Sequence, residues 1–123
     1  MLDVTWGGVR GVDDDHDTAY RAALMAYEMV RGEAAAPQWR ALLFLGTGDP
    51  ELWAWLAPRL DFLQGHVRLD DATEPRGEPQ RLLTLARHLF HGHPAQVNLV
   101  DVLHGLGDRN RALALGAMTE FCG

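Results

Sequence analysis

The chain has 123 residues, of which 17 are acidic and 11 are basic, so its formal net charge is -6. All the basic residues are arginine and there is no lysine or serine, which excludes a serine nucleophile, a Schiff-base lysine and a phosphate-loop lysine. The single cysteine, Cys122, excludes a disulfide within the chain and a cysteine cage for zinc.

The composition predicts one folded domain. The hydrophobic fraction of 47% and the charged fraction of 23% are ordinary for a globular protein, and the length suits a single core. No apolar run approaches the roughly 18 residues of a membrane span, and no basic leader precedes an apolar stretch at the N-terminus. We therefore expect a cytoplasmic protein without a membrane partner. Because no segment carries a basic stripe, we also expect no nucleic-acid partner.

Residues 1–12 are predicted to form an irregular, extended arm, because they contain three glycines and show no helical period. The sequence does not decide whether a short strand forms around Val4. Trp6 is expected to pin the arm to the rest of the protein or, if it is exposed, to belong to an interface. Residues 13–123 are predicted to form a single helical domain.

The acidic run 13–17 is predicted to begin the first helix. Short polar side chains cap the free backbone N–H groups there, and negative charge suits the positive end of the helix dipole. Gly32 is the predicted stop. The apolar face of this helix is marked by Tyr20, Leu24, Tyr27 and Val30.

Two further helices are predicted between Pro37 and Leu63. The run 46–51 contains a glycine stop, an Asp cap and a proline at the first helical position, a pattern typical of one helix ending and the next beginning. Pro58 costs about 3 kcal/mol inside a helix, so we expect a kink or a break there. The second helix shows its face through Trp39, Leu42, Leu43 and Gly46.

Trp53 and Trp55 are two residues apart, which places them about 200° apart around a helix axis. Both therefore cannot face the same core. One interpretation is that one of them is exposed and anchors a partner or a second copy, as tryptophan often does. The alternative is a helix buried on two sides. Trp53, Trp55 and Trp6 are accordingly the candidate interface residues.

Residues 64–79 are predicted to form the longest loop, because they are polar and broken by glycine and proline. A fourth helix should run from Pro79 to about His91 and a fifth should begin at the cap Asn98. A sixth helix should begin at Asp108. It carries Leu113, Leu115, Met118 and Phe121.

The histidines are the one concentrated chemical feature, with four of the six between residues 88 and 104. His88 and His91 are three residues apart on one helix, and Asp101 and His104 have the same spacing on the next. Four such ligands on two antiparallel helices suit zinc or another divalent ion. The alternative is a solvated cluster, because histidine near a helix C-terminus favours the dipole.

Three stretches carry a family resemblance: residues 14–16, residues 81–92 and residues 97–111. Their order resembles a family of small bacterial and mobile-element proteins that is catalogued only as a domain of unknown function. In that family the fourth helix ends in a polar-aromatic-polar-glycine signature, which corresponds here to His88, Phe90, His91 and Gly92. The resemblance implies a small helical fold and carries no activity with it.

The sequence thus predicts an all-α single domain of five to six short helices behind an irregular arm. The predicted function is a non-enzymatic protein-interaction or regulatory module that binds a protein partner or self-associates, without a cofactor. The alternative function is a small divalent-metal-binding protein or metal-dependent enzyme that uses His88, His91, Asp101 and His104.

Overall fold

A computed structural model describes residues 10–69, 75–92 and 98–122 of the chain. About 73% of this part is helical, which confirms the predicted all-α class. A 3-10 turn, Ala57–Arg59, leads into an antiparallel pair of two-residue strands, β1 (Leu60–Asp61) and β2 (His66–Val67). The six α-helices within the described residues are α1 (Asp14–Arg31), α2 (Pro37–Gly48), α3 (Pro50–Leu56), α4 (Glu78–His91), α5 (Leu99–His104) and α6 (Asp108–Cys122).

Helix α2 lies at the centre of the fold. Residues 41–46 are all buried, and α2 contacts α1, α3, α4 and α6. A helix that is apolar around its whole circumference is expected to be surrounded by other helices. The closest partner is α6, since a Cβ atom at Gly48 would collide with Leu113 and one at Gly116 would lie 2.5 Å from Phe44. Glycine at these positions lets the two helices approach.

The predicted helix starts at Asp13, Asp49 and Asn98 are confirmed. The Asp13 carboxylate accepts a hydrogen bond from the backbone N–H of His16, and the Asp49 carboxylate accepts two from the start of α3. The Asn98 side chain accepts one from the N–H of Asp101. The predicted stop at Gly32 is confirmed as well, with φ at 74°, a left-handed conformation that glycine adopts without strain.

The break expected at Pro58 is confirmed, but the predicted continuation of the helix to Leu63 is wrong. Helix α3 ends at Leu56, and Leu60 lies in β1, paired with Val67. Leu63 lies in the turn between the strands and is 71% exposed. Proline lacks the N–H that would continue the helix, and Gly65, with φ at 66°, allows the turn that returns the chain.

The apolar residues that the sequence places on α6 do not share one buried face. Leu113 is fully buried, whereas Leu115 is 49% and Phe121 38% exposed. Helix α6 packs closely on α2 at Gly48 and Gly116, and Leu115 and Phe121 turn outward from this contact. The buried residues of α6 are Leu113, Ala114, Ala117 and Glu120.

Helix α1 buries Tyr20, Leu24 and Tyr27 as predicted, but Val30 is 47% exposed. The helix extends past the domain core at its last turn, where Arg31 donates a hydrogen bond to the carbonyl of Leu63. The possible strand at Val4 falls outside the described residues.

Candidate functional site

Helices α4, α5 and α6 enclose an apolar groove of about 190 Å³. Its two polar members are His88 on α4 and Cys122 at the end of α6; Cys122 is a free, exposed cysteine. An apolar lining with few polar groups is typical of a site that receives hydrophobic side chains or small hydrophobic ligands. The remaining lining residues are Leu85, Leu89, Leu99, Met118 and Phe121.

A second, shallower depression continues from the groove over the outer surface of α6. It is lined by Leu115, Met118, Thr119 and Cys122, so the two depressions share Met118 and Cys122. We call all the residues that line one or the other depression the groove face. Four large apolar side chains are exposed on or next to it: Leu99 at 41%, Val100 at 75%, Leu115 at 49% and Phe121 at 38%.

The groove face is uncharged along α6 because the acidic residue of that segment turns inward. Between residues 112 and 122 the only carboxylate belongs to Glu120, which is 5% exposed. The buried Tyr20 hydroxyl donates a hydrogen bond to that carboxylate, and Arg40 Nε lies 3.7 Å from Glu120 Oε2. Burial and the Glu120 carboxylate together raise the pKa of Tyr20 far above its usual range.

The burial of Glu120 was not predicted from the sequence. An acid near the C-terminus of a helix is disfavoured by the helix dipole, and a buried carboxylate needs a partner. Its position in the last turn of an otherwise uncharged segment was the one available signal. The partners, Tyr20 and Arg40, are distant in sequence, and only the packing of α1 and α2 against α6 brings them close.

A second buried polar cluster lies at the start of α1. His16 is 1% and Asp17 7% exposed, although the acidic run was predicted only to cap the helix. His16 Nδ1 accepts a hydrogen bond from the N–H of Val12 at 2.9 Å, and His16 Nε2 lies 2.8 Å from the carbonyl oxygen of Phe44. Because a carbonyl can only accept, Nε2 carries the proton and the ring is neutral. Burial lowers the pKa of His16, although the Phe44 carbonyl opposes that shift.

The N-terminus of α6 joins three other helix ends. Asn110 Nδ2 lies 3.0 Å from Glu78 Oε1 at the start of α4 and 3.4 Å from Asp49 Oδ2 at the start of α3. Arg109 donates to the Asp13 carboxylate at 2.9 Å. Hydrogen bonds from Gly107 and Asn110 hold the pKa of Glu78 below its usual range, and those from His16 and Arg109 do the same for Asp13. These contacts fix the orientation of α6.

The four predicted metal ligands differ in their surroundings. His88 lines the groove, whereas His91 is exposed with its ring edge-on to Phe90. Asp101 and His104 are exposed on α5. All four lie in the described ranges, and no group of three His, Cys, Asp or Glu residues there could hold a metal ion. Metal binding at these residues stays a prediction.

Of the candidate interface residues, Trp55 is buried and Trp53 half-buried. Trp55 is 8% exposed, with the Arg59 guanidinium 4.1 Å from the centre of its ring. Trp53 packs over Gly46, where a Cβ atom would lie 3.1 Å from the indole. The two faces of α3 are thus both covered to a large degree. Trp6 lies outside the described residues.

Comparison with known proteins gives no family assignment. No protein-family model, curated protein or solved structure matches the chain. The family resemblance expected from the sequence therefore stays a prediction. Within the described residues no helix is both long and apolar enough to cross a membrane.

Proposed function

We propose that the chain is a non-enzymatic protein-interaction module, that the groove face is its binding surface, and that a second copy of the chain is its partner. The observation that carries this proposal is the combination of an apolar groove with protruding apolar side chains on the same surface. Contiguous exposed apolar surface commonly marks an interaction site. Burial of one such side chain contributes about 1.5–3 kcal/mol.

Self-association is favoured because the groove face offers both an apolar recess and apolar side chains that could fill it. A twofold interface uses the same patch on both subunits, so that patch must offer both a recess and a protrusion. The recess of about 190 Å³ suits one large apolar side chain. Leu99 and Phe121, which line it and remain partly exposed, supply the protrusions.

The distribution of charge also favours contact through the groove face over contact through the rest of the surface. Two copies, each with a net charge of -6, repel one another at long range. The C-terminal part of α6 brings no carboxylate to the contact, because Glu120 is buried against Tyr20. Salt screens the long-range repulsion and leaves the apolar contact intact. Association should therefore strengthen as the ionic strength rises.

Light scattering over a range of protein concentrations tests the proposal. We expect the mass to rise from that of a 13.6 kDa monomer toward twice that value. Leu115→Glu and Phe121→Asp should hold the protein at the monomer mass. Met29→Glu is the matched control, because Met29 is 78% exposed on α1 and does not line the groove. A wild-type protein that stays monomeric at every concentration and salt level would overturn the proposal.

Trp53→Ala separates the groove face from the interface predicted at the tryptophans. Trp53 is the less buried of the pair on α3, so its truncation perturbs the core less than that of Trp55. If the groove face is the contact, Trp53→Ala should dimerise like the wild type. A monomeric but folded Trp53→Ala, with a dimeric Leu115→Glu, would move the interface to α3.

A further inference from the structure

The residues just before α1 are held to it by two buried side chains of the helix itself. The N–H of Gly11 donates to Asp17 Oδ1 at 2.8 Å, and the N–H of Val12 donates to His16 Nδ1 at 2.9 Å. Gly11 lies so close to the helix that a Cβ atom there would collide with the backbone of Asp17. We call residues 10–12, held in this way, the latch.

The two ring nitrogens of His16 have opposite roles. Nε2 lies 2.8 Å from the carbonyl oxygen of Phe44 on α2 and must donate, whereas Nδ1 must accept from Val12. The neutral ring with its proton on Nε2 satisfies both partners. A protonated ring carries a hydrogen on Nδ1 as well, so a donor would face the N–H donor of Val12. The doubly protonated ring is therefore incompatible with the closed latch.

Charged groups of both signs surround His16. Asp13, which caps α1, and Asp17 on α1 favour its protonation, and Arg109 on α6 opposes it. Arg10 lies 3.2 Å from Asp14 and 3.9 Å from Asp17. From α2 the facing group is the Phe44 carbonyl, together with the Phe44 ring, which is edge-on to the imidazole.

Two more groups complete the surroundings. Tyr20, one turn along α1, has its ring centre 6.2 Å from the imidazole, and Arg21 Nε lies 3.0 Å from the Asp17 carboxylate. Of all the influences on His16, burial is the largest, and it holds the pKa of the imidazole below 6.5. The ring is thus neutral at neutral pH and takes up a proton only in acid.

We propose that the latch is an acid-released device in which protonation of His16 expels the Val12 N–H and frees residues 10–12 from α1 while the helical core stays folded. The hydrogen bond from the Gly11 N–H to Asp17 Oδ1 lies next to the lost Val12 contact and opens with it. The device is independent of the groove face, because none of its residues lines either depression.

Amide hydrogen exchange at single-residue resolution tests the proposal. Protection factors, which divide out the intrinsic pH dependence of exchange, are compared between pH 7.5 and pH 4.5. We expect those of Val12 and Gly11 to fall by up to about tenfold for each pH unit below 6.5, the ordinary imidazole pKa that the released ring regains, as release linked to one proton requires. Core amides of α2, such as those of Leu43 and Leu45, should keep theirs. Unchanged protection at Val12, or equal losses at Leu43 and Leu45, would overturn the proposal.

Two substitutions of His16 remove the titratable ring and should have opposite effects on the latch. His16→Asn places an amide oxygen near the position of Nδ1, so it can still accept from Val12 and should keep the latch closed even in acid. His16→Gln can place an amide N–H near the position of Nε2 and has no acceptor for Val12, so the latch should be open at every pH. His66→Gln, at an exposed histidine of β2, is the control and should behave as the wild type does.

The outcome does not depend on both variants folding. The ¹⁵N chemical shifts of the His16 ring in the wild type report the tautomer and the protonation state directly. A neutral ring with its proton on Nε2 at pH 7.5, which becomes doubly protonated as Val12 loses protection, is the expected result. A ring that titrates without any change at Val12, or one that carries its proton on Nδ1 at neutral pH, would contradict the device.

Discussion

The hydroxyl of Tyr20 donates a hydrogen bond to the carboxylate of Glu120, although 100 residues separate the two in sequence. Both side chains are buried, at 0% and 5% exposure, and Arg40 on α2 completes the group. The contact joins the first and last helices of the fold. It also keeps the one carboxylate of the C-terminal segment of α6 away from the groove face.

Removing the hydroxyl should destabilise the protein. Tyr20→Phe leaves the buried carboxylate without its hydroxyl donor, and an unsatisfied buried polar group costs about 1–3 kcal/mol. Urea denaturation measures the free energy of unfolding. Thr84→Ala is the control, because the Thr84 hydroxyl donates to the carbonyl of Gln80 one turn back on α4 and Thr84 does not line the groove face. If Tyr20→Phe and Thr84→Ala were equally stable, the contact would contribute nothing.

The sequence predicted the helices of this fold well, because caps and stops are local signals. Asp13, Asp49 and Asn98 cap the helices they were expected to cap, and Gly32 and Gly92 end them. The direction in which each helix faces was less predictable. Leu115 and Phe121 are apolar but turn outward from the close contact that α6 makes with α2 at Gly48 and Gly116.

The buried polar groups and the groove could not be read from the sequence. His16 and Asp17 fit the pattern of a solvated helix start, and only the return of residues 10–12 over them explains their burial. The groove requires the relative placement of α4, α5 and α6. The density of the histidines at 88, 91 and 104 suggested a metal site, but closeness in sequence says nothing about convergence in space.

The close approach of α2 and α6 predicts a cost for filling the space at Gly116. A Cβ atom there would lie 2.5 Å from the buried Phe44 ring, and overpacking of this kind costs about 1–3 kcal/mol. Gly116→Ala should therefore lower the free energy of unfolding even though alanine is the better helix former. Gly107→Ala is the control, since its Cβ atom would meet Glu78 at an ordinary 3.6 Å. A stabilised Gly116→Ala would mean that α6 can move away from α2 at no cost.

The hydrogen bonds of Glu78 lead us to expect that the free energy of unfolding falls in acid. Hydrogen bonds from Gly107 and Asn110 lower its pKa below the ordinary value near 4.5, so its contribution is complete above that value and is lost as the pH falls below it. Glu78→Gln can still accept from Gly107 but does not titrate. Its unfolding free energy should therefore fall less between pH 5 and pH 3 than that of the wild type, as measured with urea.

The matched control for this pH dependence is Glu28→Gln, at an exposed acid of α1. It should keep the steeper, wild-type dependence. The loss linked to His16 begins at higher pH, as the pH falls below 6.5, and is shared by wild type and Glu78→Gln, so it cancels in their comparison. If the free energies of unfolding of wild type and Glu78→Gln fell equally with pH, Glu78 would make no contribution to the loss of stability in acid.

Zinc binding at the histidines is tested by thermal unfolding of protein that carries no histidine tag. Because no three ligand side chains converge in the described part of the chain, we expect stoichiometric Zn²⁺ to leave the melting temperature unchanged. A bound ion at one hundred times its dissociation constant would add about 2.7 kcal/mol. A clear rise that His88→Gln or His104→Gln abolishes would establish the metal function instead.

Methyl NMR during dilution tests the self-association of the groove face most directly. On dilution from high concentration, the methyl resonances of Leu99, Val100, Leu115 and Met118 should shift together along one binding curve. Those of Met25 and Met29, exposed on α1, should stay in place. Methyl shifts that do not change with concentration, or changes confined to residues outside the groove face, would contradict the proposal that a second copy binds between α4, α5 and α6.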